Sequence, residues 1–292
     1  MISKDRLLEE NKKYFDEFSS IYHRRRREKF SGDFAGQLVA QYEKVLDGPF
    51  PKAEALLDMG CGVGKVMLNL KLAGAADNIY GIDISGGMLG ECRSNSGATG
   101  GDARLSQGNV ESLPFCDGAF DVVIGHAFLH HIPDVGKVFS EAYRVLKPGG
   151  VCIFTEPSRT GSRITMTVQR AIWLLPWLVL KAVRKSDHVN IELHTYTPSD
   201  HEALALKGGF EKDSTASYAG FISRIFYWAL DPVAQIVPFP PLLRAIDSVT
   251  GLLYRLDEAV FKRFIPKGWF DEIAIAARKG NVKSNMKKEK EK

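Results

Sequence analysis

Two acids and three glycines carry the first chemical signal in this chain. Leu56-Leu57-Asp58-Met59-Gly60-Cys61-Gly62-Val63-Gly64 is a short apolar run that ends beside an acid and passes into a glycine-rich turn. Ile79-Tyr80-Gly81-Ile82 is a second apolar run, closed by Asp83. A glycine turn after one strand and a carboxylate after the next are the parts with which a doubly wound sheet holds an adenosine-containing cofactor. Glycine spacing then chooses among such cofactors. A dinucleotide fingerprint needs a small residue three places after its second glycine. Counted from Gly62 that place is Lys65, and from Gly64 it is Met67, so the fingerprint fails in both registers. Two further residues suit proton transfer. His126 follows the apolar run after Asp121, and Glu156 follows another that starts near Gly150. Both stand at predicted strand ends, where ligands collect in such sheets, and an unperturbed imidazole titrates near neutrality.

The elements that must position these groups alternate as strand and helix with short connections, the pattern of a parallel sheet covered on both faces. Strands are expected near 55–59, 78–83, 103–107, 120–125 and 150–155, then at 210–217 and 269–277. The clearest helix runs from Asp134 to Leu146. Its apolar residues Val135, Val138, Phe139, Ala142, Val145 and Leu146 recur at helical spacing, and Pro148-Gly149-Gly150 is expected to stop it. Other helices are expected at 63–73 and 199–207.

The motif D-x-G-x-G-x-G at 58–64 resembles the first motif of the class I S-adenosylmethionine-dependent methyltransferases. Four more segments continue the resemblance in order. Gly108-Asn109-Val110-Glu111-Ser112-Leu113-Pro114-Phe115 is similar to the family's G-D-A-E-x-L-P-F segment, and Phe120 to His126 to its fourth strand. Leu129-His130-His131-Ile132-Pro133-Asp134 and Arg144-Val145-Leu146-Lys147-Pro148-Gly149-Gly150 look like its next two signatures. In style the motifs are nearest to the quinone-biosynthesis type. The resemblance implies an α/β fold with a Rossmann-like seven-stranded sheet, mostly parallel with the last strand antiparallel. It also implies S-adenosylmethionine as cofactor and S-adenosylhomocysteine as product.

It further implies roles. Gly60, Cys61, Gly62 and Gly64 bring backbone and a helix N-terminus close to the cofactor's carboxylate. Asp58 attracts its ammonium group, and Asp83 accepts from both ribose hydroxyls. Ile84 and Met88 pack on the adenine, with Val110 contributing a backbone amide. Asn109 stands where the family carries Asp; its amide oxygen can still accept from the adenine amino group, without the charge. His126 borders the cofactor and is a candidate base, as is Glu156, whereas His130 and His131 read as structural. Tyr14, Phe15, Phe18 and Tyr22 form a helical stripe of the kind that folds over the cofactor, with Tyr14 and Tyr22 as its binding candidates.

This divides the chain into an N-terminal helical lid at 1–50, a cofactor-binding core at 51–157, 197–217 and 267–279, and insertions at 158–196 and 218–266. The insertions read as a hydrophobic cap. Ala171 to Leu180 is uncharged and holds Trp173 and Trp177, amid Arg159, Arg163, Arg170, Lys181, Arg184 and Lys185. Ile225 to Leu243 carries only Asp231 and is broken by four prolines. Neither offers the roughly 20 apolar residues of a membrane span. A lid for an apolar acceptor that also touches a membrane surface is one reading of them, and simple self-packing is the other.

Of the net charge of +4, the tail from Lys283 contributes +3 through five lysines and two glutamates. A near-neutral body argues against nucleic acid as partner. The charged tail at 280–292 reads as disordered. Cys61, Cys92, Cys116 and Cys152 show no ligand spacing, so no metal is expected, and the charged start of the chain points to the cytoplasm. Methyl transfer to oxygen or carbon of an apolar small molecule is the leading expectation. A nucleic-acid or protein methyltransferase and a non-catalytic cofactor-binding homologue stay open beside it.

Overall fold

The computed structural model describes residues 4–26, 30, 32–158, 161, 163–164, 167–168, 171, 196–211, 215–236 and 240–281. Two helices come first, α1 (Lys4–Arg26) and α2 (Gly32–Leu46). The alternating part follows as β1 (Ala53–Met59), α3 (Lys65–Leu72), β2 (Ala76–Asp83), α4 (Gly86–Thr99) and β3 (Ala103–Gln107). It continues through β4 (Phe120–His126), α5 (Val135–Val145), β5 (Leu146–Pro157) and α6 (Pro198–Lys207). The last elements are β6 (Thr215–Ala219), α7 (Ile222–Ile236), α8 (Pro240–Ala259) and β7 (Glu272–Arg278).

The strands form a seven-stranded sheet in the order β3-β2-β1-β4-β5-β7-β6. The pairs β1–β2, β2–β3, β1–β4 and β4–β5 are parallel. β7 runs against β5: Gly149 N–H donates to the Lys279 carbonyl while Ser158 N–H donates to that of Asp271, so numbers fall on one strand as they rise on the other. Parallel strands need both faces covered. Leu38, Tyr42 and Val45 of α2, Met67 and Leu70 of α3 and Leu89 of α4 are buried with Leu56, Ile79, Val122 and Ile124 of the sheet. Phe139 of α5 packs edge to face on Phe154 at 5.1 Å and meets Phe210 at 6.4 Å.

Several expectations are corrected. Pro148-Gly149-Gly150 does not stop α5. Leu146 already turns to extended geometry, and the triplet lies inside β5, where Gly149 takes a φ of 81° as the strand pairs with Lys279. Lys279 also caps α5 from outside, its ammonium donating to the Tyr143 and Leu146 carbonyls at 2.8 Å each. Asp134 is the N-cap of α5, not its first residue. β6 begins at Thr215 and β7 at Glu272, with a 3-10 turn at Lys267–Trp269 ahead of β7. Pro232 does not break the apolar run of the second insertion, because it sits inside α7, which runs through it.

The chain falls into two compact units, one of residues 1–155, 198–217 and 274–292, the other of 156–197 and 218–273. Within the second, the Asp257 carboxylate of α8 accepts from the Phe221, Ile222 and Ser223 amides at 3.0 Å each and from the Ser223 hydroxyl. A fully buried acid of one helix thus closes the amide end of the other. Among the described residues, no helix is long and apolar enough to cross a membrane. Trp173, Trp177 and the charged tail from 282 lie outside the described residues, as does the side chain of Tyr22.

Candidate active site

β1 lies between β2 and β4, so the chain reverses its direction of winding there, and a crevice opens beyond the carboxyl ends of these strands. Into it converge Asp58 and Gly60 to Val63 at the end of β1, Asp83 and Ile84 at the end of β2, Gly108 to Val110 after β3, and His126 to Phe128 at the end of β4. The cleft is open at its mouth and lined by more apolar than polar surface.

The glycine turn is built on Asp83. Its Oδ2 accepts from the Gly62 amide at 2.8 Å, its Oδ1 from the Ser85 amide at 2.9 Å. Gly62 holds a φ of 53° and faces open space, so backbone alone lines the cleft at that point. Gly64 is also required by packing. It is the N-cap of α3 at φ 83°, and a Cβ on it would sit 2.6 Å from Cys92 Sγ, so its smallness admits α4.

Burial raises Asp83 above the usual carboxylate range despite three amides that favour its charge. Asp58 is pushed up to about 8, first by burial and further by Asp83, against a hydrogen bond from the Met67 amide. Cys61 lines the cleft as a neutral thiol. Its contact with the Cys92 thiol and its burial raise it well above the ordinary value.

Asn109 turns its amide oxygen to the Glu111 amide at 2.9 Å, which occupies one of that oxygen's two acceptor positions. Glu111 in turn accepts from the Asp134 amide at 2.7 Å, joining the turn after β3 to the start of α5. Ala127 has a φ of 54°, a left-handed conformation that a non-glycine residue adopts at a cost of about 1–3 kcal/mol. Its amide donates to the Thr155 carbonyl at 2.8 Å, which fixes the bend immediately after His126.

α1 closes one side. Leu8, Asn11 and Phe15 line the cleft, while Tyr14 does not and packs against Phe15 instead. The helix is fastened at three heights. Lys4 pairs with Asp134 at 2.9 Å, and the Asn11 amide donates to the His131 carbonyl at 2.8 Å. Asp16 accepts from the Ser85 hydroxyl at 2.6 Å and the Gly87 amide at 2.9 Å, at the N-terminus of α4. Partial burial opposes charge on Asp16, but those bonds win and lower its pKa.

His131, read as structural, lines the cleft with Ile132, its ring edge-on to Phe15 at 5.0 Å. Glu156 is buried at the end of β5, falls in the second unit and is not among the residues lining this cleft. Sequence reasoning missed Leu8, Asn11, Lys65, Val66, Ala127 and Phe128. The spacing of Leu8, Asn11 and Phe15 does put them on one helical face; the left-handed Ala127 leaves no trace in residue type.

The doubly wound sheet and this cleft define a protein that takes a nucleoside cofactor at its switch point. Residues 57–154 match the family model described as a methyltransferase domain. A demethylmenaquinone methyltransferase of Symbiobacterium thermophilum is 32% identical over 191 residues, covering 59% of this chain and 76% of that protein. A ubiquinone biosynthesis O-methyltransferase of Azorhizobium caulinodans is 28% identical over 165 residues, 56% of this chain and 62% of the other. Among solved structures, phosphoethanolamine N-methyltransferase 2 of Haemonchus contortus, in complex with phosphomonomethylethanolamine and S-adenosylhomocysteine, shares the fold. Its TM-score is 0.60 at 19% identity, over 96% of this chain and 61% of that one.

The chain belongs to the class I S-adenosylmethionine-dependent methyltransferases. It is a methyltransferase enzyme, and S-adenosylmethionine is its cofactor.

Proposed function

We propose that this cleft transfers the methyl group to an apolar small molecule, at oxygen or carbon. The observation that carries the reading is the convergence of Asp58, Asp83, the open backbone of Gly62 and His126 in one largely apolar crevice. The acids fit the cofactor. A buried carboxyl held up to about 8 has its charge restored by a nearby cation, which the ammonium group provides, and Asp83 faces the cleft ready to accept from ribose hydroxyls. Asn109 and the Val110 amide would take the adenine edge, with Ile84 and Met88 against its face.

When bound, S-adenosylmethionine supplies a methyl group on a sulfonium that is already a good leaving group. The chain's own residues therefore align and exclude water. An acceptor that takes this methyl group would give up a proton inside the cleft. His126 is our candidate to receive it. Leu8, Phe15, Val66, Phe128 and Ile132 form apolar walls suited to an acceptor of that character. One relative is named a demethylmenaquinone methyltransferase and another a ubiquinone biosynthesis O-methyltransferase, which supports the same class of acceptor.

The test supplies enzyme, cofactor bearing a deuterated methyl group, and a cell extract. Mass spectrometry should find the label in an apolar metabolite, and in none with Asp83→Ala. Label confined to the nucleic-acid or protein fraction would overturn the acceptor class.

A further inference from the structure

α8 exposes a row of apolar side chains, where a surface helix ordinarily shows polar ones. Its exposed face carries Val249, Leu252, Leu256 and, one residue past its end, Val260, spaced three, four and four apart. Leu252 is 57% exposed. Beyond the helix Phe264 is 78% exposed, and Trp269 is 44% exposed while leaning on Phe221 at 6.2 Å. Among the described residues, six of the eight exposed large hydrophobic side chains fall in this one stretch. Such a concentration of exposed apolar side chains in one stretch marks a surface that meets something.

The charges around it say what. Arg255, Arg263 and Lys267 are the exposed charged residues described between 249 and 269, and all are basic. The acids of the stretch are turned inward: Asp257 is fully buried under the α7 amides, and Glu258 is largely covered and paired with Lys262 at 3.3 Å. Leucine, valine, phenylalanine and tryptophan beside arginine and lysine make up the face of a helix lying in a bilayer interface, its apolar side among acyl chains and its cations at the headgroups.

We infer that the α8 face, with Phe264 and Trp269, docks on an anionic lipid surface. The assignment is independent of the acceptor, since it stands on the second unit alone. It stands beside the membrane contact expected of Trp173 and Trp177, which lie outside the described residues.

The test is vesicle flotation, with phosphatidylcholine alone and with phosphatidylglycerol added, at low and high salt. The proteins are wild type, Leu252→Gln/Phe264→Gln and Arg255→Gln/Arg263→Gln. Wild type should float with phosphatidylglycerol vesicles at low salt and bind at least about tenfold more weakly to phosphatidylcholine or at high salt. Each variant should lose at least about tenfold while its S-adenosylhomocysteine affinity, read by calorimetry, is unchanged. Wild type that stays free of every vesicle, or variants that bind as wild type does, would overturn the assignment. So would a wild-type dimer by light scattering that Leu252→Gln dissociates, since the face would then join two copies. Hydrogen exchange of wild type with vesicles should protect residues 249–269, and absence of protection there counts against the surface even if a variant fails to fold.

Discussion

Asp83 has two duties that its geometry ties together. Both its oxygens already hold amides of the glycine turn and of the start of α4, and the same carboxylate faces the cleft. Removing it subtracts charged acceptors worth about 1.5–3 kcal/mol per hydrogen bond. Asp83→Ala should lower S-adenosylhomocysteine affinity at least about tenfold by calorimetry, and unchanged affinity in a folded variant would dismiss the site. Asn109 is the gentler case. Its oxygen holds the Glu111 amide, a role an Asp oxygen fills equally well. Asn109→Asp should leave cofactor affinity equal or tighter, and a marked loss would mean that the side-chain amide hydrogens are in use. At this scale much was legible in the sequence. Asp58, Cys61, Ile84, Met88, Val110 and His126 are local to strand ends and all line the cleft. Gly64 packs on α4, Tyr14 turns to Phe15 and His131 lines the cleft, because helix rotation and α4 packing, which local pattern does not encode, decide where those residues face.

Among the elements, α1 depends on the core for its position more than on itself. Its three fastenings all end on segments that flank the cleft. The deepest is Asp16, an acid from one helix serving the start of another, an arrangement worth about 0.5–2 kcal/mol where a capping acceptor is lost. Asp16→Ala should therefore speed S-adenosylhomocysteine release in stopped-flow measurements and weaken its binding, while the melting of the sheet changes little. Equal release rates would show that α1 does not retain the cofactor. The aromatic stripe announced a helix over the cleft, but its fastening residues were silent. A hydrogen bond between positions 16 and 85 has no signature in either segment. The opposite holds for the sheet, whose alternating apolar runs and turns state the order of elements directly. The exceptions came where β7 pairs with β5, a long-range partnership that extends β5 back through Pro148 and Gly149.

For the molecule as a whole, Asp58 links cofactor, protons and stability. In the empty fold it titrates at about 8 against an ordinary 3.8. The folded state thus holds this proton more tightly than the unfolded one. Its contribution favours folding at low pH and is lost as pH rises from about 3.8 to 8, then is constant. A bound ammonium group reverses the preference, so binding near pH 7 should expel a proton. Calorimetry in buffers of different ionisation enthalpy should register that release, and affinity should climb toward pH 8. Asp58→Asn should abolish the proton release and weaken binding, yet make the empty protein more stable at pH 8 by about 1–3 kcal/mol. A variant with the same buffer dependence as wild type would place the released proton elsewhere.

The buried Asp257 has a consequence for how the second unit comes apart. Because α8 supplies the acceptor for three amides that begin α7, neither helix is complete without its neighbour. The two should open as one cooperative block, with Phe221, Ile222 and Ser223 exchanging their amide hydrogens at the rate of α8 rather than at that of a fraying end. Asp257→Ala would uncouple that block, and fast exchange at both helices under native conditions is the expected mark.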